Sequence, residues 1–390
     1  MDNQIIPYGR QDITVNDIDA VVNVLQSDWL TQGPVTPRFE SEIASYCAAK
    51  FAVAVNSATS ALHIACLALG LGEGDYLWTS PITFAASSNC ALYCGAKIKF
   101  IDINLETFNL STEDLEAKLI EAAKENKLPK IVIPVHMGGQ SCDMQKIYEL
   151  SKKYKFSIIE DASHAIGGSY KNQRIGDCKY SNVTIFSFHP VKIITTGEGG
   201  VAVTNDKELA AKMTLLRSHG IVRDSSPTTG GELEGWFYKQ IDLGFNYRMT
   251  DIQAALGSSQ LTRVDQYVAR RHQLASLYNE KLAELPVILQ TQAVDSYSSY
   301  HLYLIRLKLD EISTSRLTVF NHMRKNGVGV NVHYIPVYYH PYYEVLGLRE
   351  SNCFNAERYY SEALTLPLYP GLLENEVERV ISILKNVILR

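Results

Sequence analysis

Between residues 51 and 159, short apolar runs alternate with segments of helical periodicity, and this alternation constrains the fold more than any other feature. The runs Phe51–Val55, Lys97–Ile101 and Ile131–Val135 are typical of strands buried on both faces, and each is followed by a segment with helical spacing. A chain that repeats strand and helix in this way forms a mainly parallel sheet covered by helices. Ligands in such sheets bind outside the carboxyl ends of the strands, so candidate functional residues are sought there.

The same patterns continue along the rest of the chain. They predict further strands over 75–78, 156–159, 183–188 and 200–204, and helices over 15–25, 37–47, 59–69, 84–93, 112–125, 144–154 and 207–217. Beyond them the sequence predicts a polar loop over 224–235, a long helix over 250–282, strands over 301–307 and 329–333, and helices over 316–326 and 374–389. We therefore expect an α/β protein with a large domain over 1–250, built on a mostly parallel central sheet, and a smaller α+β domain over 251–390.

The composition excludes several classes of partner. The formal net charge is −5, so no basic excess indicates binding to nucleic acid or to a membrane surface. No apolar run reaches the roughly 18 residues of a membrane span, and the first residues lack the basic and apolar regions of a signal peptide. Seven scattered cysteines without a Cys-x-x-Cys pair indicate free thiols in a reducing compartment and no metal site. We therefore expect a cytoplasmic protein.

The stretch from Ser187 to Gly200 places Lys192 between two apolar runs. Lysine is among the residues least often buried, and when it is buried its pKa falls and its amine becomes a nucleophile. The alternative is a solvated lysine at the end of a strand. The choice between them depends on what other chemistry the sequence predicts at the same edge of the sheet.

Three other sites are predicted at the carboxyl ends of strands. Asp161 follows one apolar strand, and Phe84 follows another, where its ring could stack on a flat ligand. The turn at Asn56 leads into a helix, whose first amides and the hydroxyls of Thr59 and Ser60 form a favourable site for phosphate. Each site has an ordinary alternative: a carboxylate that caps the next helix, a core aromatic ring and a well-capped helix start.

Together these residues supply an amine, an acid, a phosphate site and a stacking ring, which is the set that pyridoxal 5′-phosphate (PLP) requires. Lys192 would bond covalently to the cofactor, and Asp161 would keep its ring nitrogen protonated so that the ring can accept electrons. Lys192 would also carry the proton between the substrate carbon and the cofactor carbon. The sequence therefore predicts a PLP-dependent enzyme.

Ordered motifs over nearly the whole chain carry a resemblance to a known family. The motifs are WLTQGP at 29–34, NSATSAL at 56–62, PITF at 81–84, VHMGG at 135–139, EDASH at 160–164, SFHPVK at 187–192, GEGG at 197–200, RSHG at 217–220, GFNYR at 244–248 and HYIP at 333–336. The chain resembles the sugar aminotransferases that include the DegT and StrS proteins, within the fold-type I PLP-dependent enzymes.

The resemblance implies roles at the cofactor ring for three residues. Lys192 would be the lysine that bonds to PLP, and Asp161 would bind the ring nitrogen. His164 would lie beside the phenolic oxygen of the ring, at a position where many relatives carry glutamine.

The resemblance also implies how the rest of the cofactor is held. Thr59, Ser60 and Ser187 would contact the phosphate, and Phe84 would stack on the ring. Asn246 would reach the phosphate of the neighbouring subunit's cofactor. The family therefore implies a homodimer with two shared active sites.

Within the family, residues 56–62, the pair Ser163–His164 and residues 193–196 most resemble the C4 aminotransferases of pseudaminic acid biosynthesis. This implies transfer of the amino group of L-glutamate to C4 of a UDP-linked 4-keto sugar, UDP-2-acetamido-2,6-dideoxy-β-L-arabino-hex-4-ulose. Two alternatives remain open. One is a C4 aminotransferase of the D-series UDP-4-keto sugar, as in a bacillosamine-type pathway, and the other is a regulatory protein that binds PLP without turnover.

Three further residues are candidates for substrate binding. Arg10 and Arg248 could clamp the carboxylates of glutamate or the diphosphate. Tyr334 begins a tyrosine-rich segment, 334–343, that could form a wall for the sugar nucleotide. Surface ion pairs and ordinary packing of the smaller domain are the alternatives.

Overall fold

The computed structural model describes residues 5–222, 236–349 and 352–389, so the loop predicted over 224–235 lies outside the described residues. Within these ranges the chain forms the α-helices α1 (Val15–Leu25), α2 (Val35–Cys47), α3 (Ala58–Ala68), α4 (Ala86–Tyr93), α5 (Thr112–Lys124), α6 (Met144–Tyr154), α7 (Lys207–Leu216), α8 (Asp251–Leu261), α9 (Val264–Leu282), α10 (Arg316–Lys325), α11 (Pro341–Val345), α12 (Phe354–Glu362) and α13 (Glu374–Ile388). Among these described helices, none is both long enough and apolar enough to cross a membrane.

The strands of the described residues are mostly short. They are β1 (Phe51–Val55), β2 (Tyr76–Thr79), β3 (Lys97–Phe100), β4 (Ile131–Ile133), β5 (Ser157–Asp161), β6 (Ser169–Tyr170), β7 (Gln173–Arg174), β8 (Val183–Ser187), β9 (Gly200–Thr204), β10 (Ile221–Val222), β11 (Lys239–Gln240), β12 (Val287–Leu289), β13 (Ser296–Tyr297), β14 (Tyr303–Leu307) and β15 (Ala363–Leu366). Most of the predicted strands and helices therefore exist, with ends shifted by one or two residues.

A seven-stranded sheet, in the order β1-β9-β8-β5-β4-β2-β3, forms the centre of the fold. The strands β8, β5, β4, β2 and β3 run parallel, while β9 is antiparallel to both β8 and β1. The central strands are buried almost throughout, because helices cover both faces of the sheet. The predicted α/β fold with a mostly parallel sheet is confirmed.

A second, antiparallel sheet, β12-β14-β15, lies in the C-terminal part of the chain. It shares a hydrophobic core with α9, α10 and α13, through residues such as Leu274, Ile305 and Val380. The strand predicted over 329–333 is wrong. That segment makes one bridge, between Asn331 and Thr365, and its last three residues, 331–333, line a cavity.

The helix predicted over 250–282 is also wrong, since it is interrupted between α8 and α9. Arg263 precedes α9 with φ −112° and ψ 2°, and its guanidinium donates to the two oxygens of Asp17 at 2.8 and 2.6 Å. Ser259 and Gln260 donate to the same buried carboxylate at 2.6 and 2.9 Å. This contact ties α1 to the α8–α9 junction, and no proline or glycine at the junction signals the break.

The contacts of the Asp17 carboxylate should make part of the free energy of unfolding depend on acidic pH. Burial alone would raise the pKa of Asp17, but the hydrogen bonds, led by that from Arg263, outweigh it and lower the pKa from 3.8 to about 2. A depressed pKa stabilises the fold above the unfolded value, near pH 4, and this contribution is lost as the pH falls toward 2. Asp17→Asn should therefore lower the free energy of unfolding by about 1–2 kcal/mol at pH 7 and by less at pH 3.

Urea denaturation at the two pH values measures this difference. Asp19→Asn, an exposed change on the same helix, is the matched control and should have little effect at either pH. An equal loss of stability at pH 7 and pH 3 in Asp17→Asn would contradict the assignment.

Candidate active site

A cavity of about 1120 Å³ opens at the carboxyl edge of the central sheet. Asp161 and Ser187, the last residues of β5 and β8, both line it, and the first turn of α3 forms one side. The C-terminal part of the chain contributes His301 and residues 331–335 to the wall. The cavity therefore lies where a parallel sheet of this kind binds its ligand.

Lys192 lies in the connection between β8 and β9 and lines this cavity. Its amide donates to the carbonyl of His189 at 2.9 Å, which fixes the turn that presents the side chain. The side chain is half-buried, since part of it faces the open cavity. Burial of its amino group lowers the pKa of Lys192 to about 8, and the negative charge of Asp161 opposes this shift only in part. A larger fraction of this amine than of an ordinary lysine is therefore uncharged near neutral pH, and the uncharged amine can act as a nucleophile.

Asp161 is 5% exposed, and its carboxylate is held by two hydrogen bonds. The Ser87 hydroxyl donates to one oxygen at 2.6 Å, and the Ser163 amide donates to the other at 3.1 Å. The Ser87 hydroxyl lies 2.7 Å from that of Thr83, so the donor is itself fixed. The carboxylate is therefore rigidly positioned in the cavity, where it can balance a positive charge on a ligand.

The N-terminus of α3 forms a site for an anion. Ser57 caps the helix by accepting the amide of Ser60 at 3.1 Å, and the Ser60 hydroxyl donates to the side chain of Asn56 at 2.6 Å. The amides of Ala58 and Thr59 belong to the first helical turn, ahead of any helical acceptor. They are available to a ligand, and the helix dipole favours an anionic one such as phosphate.

Gly200, the first residue of β9, packs directly against this turn. A Cβ at position 200 would lie 2.4 Å from the amide nitrogen of Ala58 and 2.6 Å from the carbonyl carbon of Ser57. Any side chain at this position would therefore displace the backbone that forms the anion site.

We expect Gly200→Ala to weaken the affinity for PLP by about tenfold or more, because the displaced amides no longer converge on the phosphate. Titration of the cofactor-free protein with PLP, followed by absorbance, measures this change. Gly72→Ala is the matched control, since an added Cβ there meets nothing within 4 Å. An unchanged affinity in Gly200→Ala would argue against phosphate binding at α3.

Two buried histidines lie near Lys192 in the cavity wall. His164 pairs through Nε2 with the Tyr334 hydroxyl at 3.1 Å, and its ring packs on His301 with centroids 4.5 Å apart. Burial, together with neighbouring positive charge, holds the pKa of both imidazoles well below the usual range, so both rings are neutral at pH 7. Among the described residues, Nδ1 of each ring has no hydrogen-bond partner. These nitrogens are unsatisfied polar groups in a wall that faces a ligand site.

Phe84 lies between β2 and α4 and lines the cavity. It is 64% exposed, and its ring centroid lies 6.5 Å from that of Tyr334. An exposed ring at the edge of a cavity is available to stack on a flat ligand, which argues against the alternative of a core aromatic residue.

Comparison with known proteins identifies the family. The sequence profile of the DegT/DnrJ/EryC1/StrS aminotransferase family matches residues 11–385. The chain belongs to this family. It is 40% identical over 367 residues to a UDP-4-amino-4,6-dideoxy-N-acetyl-beta-L-altrosamine transaminase of Campylobacter jejuni. The aligned residues cover 94% of this chain and 93% of that protein. It is 37% identical over 380 residues to the GDP-perosamine synthase of Caulobacter vibrioides, and the aligned residues cover 96% of each protein.

A solved structure supports this assignment. The chain matches Helicobacter pylori PseC, an aminotransferase involved in the biosynthesis of pseudoaminic acid, with a TM-score of 0.91. The two chains are 30% identical, and the match covers 99% of this chain and 100% of PseC. This member of the DegT/DnrJ/EryC1/StrS family is therefore a PLP-dependent sugar aminotransferase of fold-type I. That assignment favours an enzyme over the regulatory alternative.

The cavity residues fit PLP. Lys192 supplies an amine of lowered pKa, and Asp161 supplies a fixed carboxylate. The anion site at α3 depends on Gly200, where a side chain would displace the backbone that forms the site. His164 adds an unsatisfied ring nitrogen to the same wall.

Three predicted residues do not line the cavity in the described part of the chain. Arg10 is exposed on the N-terminal segment, and the half-buried Arg248 makes a backbone bridge to Val55. Asn246 is exposed and makes a backbone bridge to Ser218. The roles of these three residues in binding substrate or a second cofactor stay predictions.

Sequence reasoning misses several polar residues of the cavity wall, which reach it from segments far apart in the chain: Tyr8, Asn89, His301, Asn331 and His333. One of them, His333, stands within the HYIP motif at 333–336, and that position could have indicated it. The others have no local signal, because only the tertiary fold brings them to the cavity.

Proposed function

We propose that the protein transfers the amino group of L-glutamate to C4 of UDP-2-acetamido-2,6-dideoxy-β-L-arabino-hex-4-ulose, in pseudaminic acid biosynthesis. The observation that carries this proposal is the cavity that joins Lys192, Asp161 and the α3 anion site in a chain 40% identical to the C. jejuni transaminase. The likeness to PseC supports the same pathway.

The residues of this chain would divide the reaction among them. PLP, when bound, supplies an electron-accepting ring that stabilises negative charge on the carbon that loses or gains the amino group. The Asp161 carboxylate would stabilise the positive charge on the ring nitrogen of PLP. Lys192, with a pKa of about 8, would remove the proton from the donor carbon and return it during transfer to the acceptor.

The tyrosine-rich segment supports a wall for the sugar nucleotide. Tyr342 is 63% exposed and lines the cavity, whereas the neighbouring Tyr343 is buried. The hydroxyl of Tyr343 lies 2.9 Å from that of Ser88 and donates to Asn89 at 2.5 Å. An exposed ring on a segment held in this way can pack against a sugar or a base at low entropic cost.

Product analysis tests the proposal. The PLP-loaded enzyme is incubated with glutamate and, in separate reactions, with the L-series UDP-4-keto sugar, the D-series UDP-4-keto sugar or a GDP-linked 4-keto sugar. The products are identified by NMR and mass spectrometry. We expect amination at C4 of the L-series sugar, with kcat/KM at least about tenfold above that for the D-series sugar. Preference for the D-series sugar would instead assign a bacillosamine-type reaction, and turnover of a GDP-linked 4-keto sugar alone would contradict a UDP-sugar substrate.

We also propose a homodimer with shared active sites. The support is that α1 leaves Ile18, Val22 and Leu25 on its surface at helical spacing, each at least 38% exposed. In addition, no arginine of the described residues lines the cavity, although both proposed substrates are anionic. A second subunit would cover the apolar face and bring Asn246 and Arg248 to the partner's site. Sedimentation equilibrium measures the mass, and a monomer at working concentration would contradict this proposal.

A further inference from the structure

A short segment from the C-terminal part of the chain, residues 299–301, holds His164 in the cavity wall. The Ser299 hydroxyl donates to the carbonyl of His164 at 2.5 Å, and the Ser299 amide donates to the carbonyl of Gly139 at 3.1 Å. Gly139 has φ +106°, and a Cβ there would lie 2.2 Å from the Ser299 hydroxyl oxygen and 2.9 Å from the carbonyl oxygen of His164. The second glycine of the VHMGG motif is therefore required for this contact.

The ring of His164 has two aromatic neighbours in the cavity wall. The His301 ring lies 4.5 Å away between centroids, at an angle of 44°. The Tyr334 ring lies 6.1 Å away, and its hydroxyl lies 3.1 Å from Nε2 of His164. Among the described residues Nδ1 of neither histidine has a hydrogen-bond partner, so the two imidazoles meet by packing. Tyr334 therefore fixes one nitrogen of His164, and His301 restricts the rotation of its ring.

Arg271 on α9 holds the same segment from inside the protein. Its side chain is buried, and Nη1 donates to the carbonyls of Tyr300 and His301 at 3.2 Å each and to that of Leu368 at 2.8 Å. No acidic side chain of the described residues pairs with this guanidinium. A buried charge without a carboxylate costs free energy relative to an apolar side chain of similar size. This cost indicates a functional reason for the position of residues 300 and 301.

We propose that His301 is a positioning residue for the aminotransferase reaction and acts through His164. The proposal rests on the predicted place of His164 beside the phenolic oxygen of PLP. The His301 ring keeps the His164 ring at a fixed angle, so that the polar group beside the cofactor is already in place when the reaction begins. Loss of the His301 ring leaves His164 free to turn away from Tyr334.

The test compares His301→Ala and His301→Phe in the PLP-loaded enzyme, by the visible spectrum of bound PLP and the rate of the half-reaction with glutamate. We expect His301→Ala to slow the half-reaction by about tenfold and to shift the absorbance maximum in the same direction as His164→Ala. His301→Phe keeps a flat ring against His164 and should stay within about threefold of the unchanged enzyme. His322→Ala, on α10 and outside the cavity wall, is the matched control and should change neither measurement.

A double-mutant cycle separates action through His164 from a direct role of His301. In the His164→Ala background, a further His301→Ala change should slow the half-reaction by less than about twofold, because the group that His301 positions is already absent. A further tenfold loss in that background would overturn the proposal, as would equal defects in His301→Ala and His301→Phe. A merely structural role would lower the melting temperature of the cofactor-free protein and leave the spectrum of bound PLP unchanged.

The two histidines can fail this test separately. An unchanged rate and spectrum in His164→Ala would refute the predicted role of His164, and the proposal with it. An unchanged rate and spectrum in His301→Ala, together with a clear loss in His164→Ala, would refute only the part assigned to His301.

Discussion

Lys192→Ala should reduce turnover by at least about 10⁴-fold, because it removes both the nucleophile that bonds the cofactor and the group that moves the proton. It should also abolish the visible absorbance of PLP bound covalently to the protein. The side chain is half-buried at an open cavity, so its truncation leaves no closed void in a packed core. The melting temperature measured without cofactor should therefore change little, which separates lost chemistry from lost folding.

Absorbance spectra and single-turnover reactions with glutamate measure both effects of Lys192→Ala. Lys212→Ala, an exposed change on α7, is the matched control and should keep the spectrum and the turnover of the unchanged enzyme. Lys192→Arg adds a sharper comparison, because it keeps a positive charge but lacks an amine that can deprotonate near neutral pH. Retention of full turnover in either substitution at position 192 would refute the assigned role.

The reaction class could be predicted from the sequence because the residues that determine it are local to strand ends. Asp161 ends β5, Lys192 follows β8, and the α3 anion site follows β1. Each stands at a transition from an apolar strand to a turn, and parallel strands bring their carboxyl ends to one edge. The periodicity that predicts the strands therefore also predicts that these groups converge.

The parts of the structure that could not be predicted depend on contacts between distant segments. His301 meets His164 across 137 positions of sequence only because the segment that leads into β14 reaches the cavity. The break between α8 and α9 depends on Asp17, at the other end of the chain. Helical periodicity continues through residues 250–282, so no local pattern distinguishes one helix from two.

The choice of sugar depends on the same kind of contact. The wall formed by residues 331–335 and Tyr342 comes from the C-terminal part of the chain and meets the α3–α4 region only in the folded structure. The groups at the cofactor sit at strand ends, whereas the groups that would contact the sugar sit on the irregular segment 331–335 and on the short helix α11. Reaction class and substrate are therefore encoded in different parts of the fold, and the two need separate experiments.

Asp161→Asn should lower kcat/KM by about 10²- to 10³-fold, because a neutral amide of the same shape no longer stabilises positive charge on the ring nitrogen. The Ser163 amide can still donate to the remaining carbonyl oxygen, so the position of the side chain should be kept. We expect the loss in the rate of the half-reaction with glutamate, measured by stopped-flow absorbance, and a smaller change in PLP affinity. A slower half-reaction with little change in PLP affinity would show that Asp161 acts on the rate of the reaction and not on cofactor binding.

Two further variants separate the charge of Asp161 from its surroundings. Ser87→Ala removes the 2.6 Å hydrogen bond but keeps the carboxylate, and should slow the half-reaction by less than about tenfold. Glu160→Gln changes the adjacent buried carboxylate, which accepts hydrogen bonds from Ser181 and Thr184 and does not line the cavity. This substitution should therefore affect the stability of the protein more than the rate of the half-reaction. A half-reaction in Asp161→Asn within tenfold of the unchanged enzyme, with PLP fully bound, would mean that the ring nitrogen does not depend on this carboxylate.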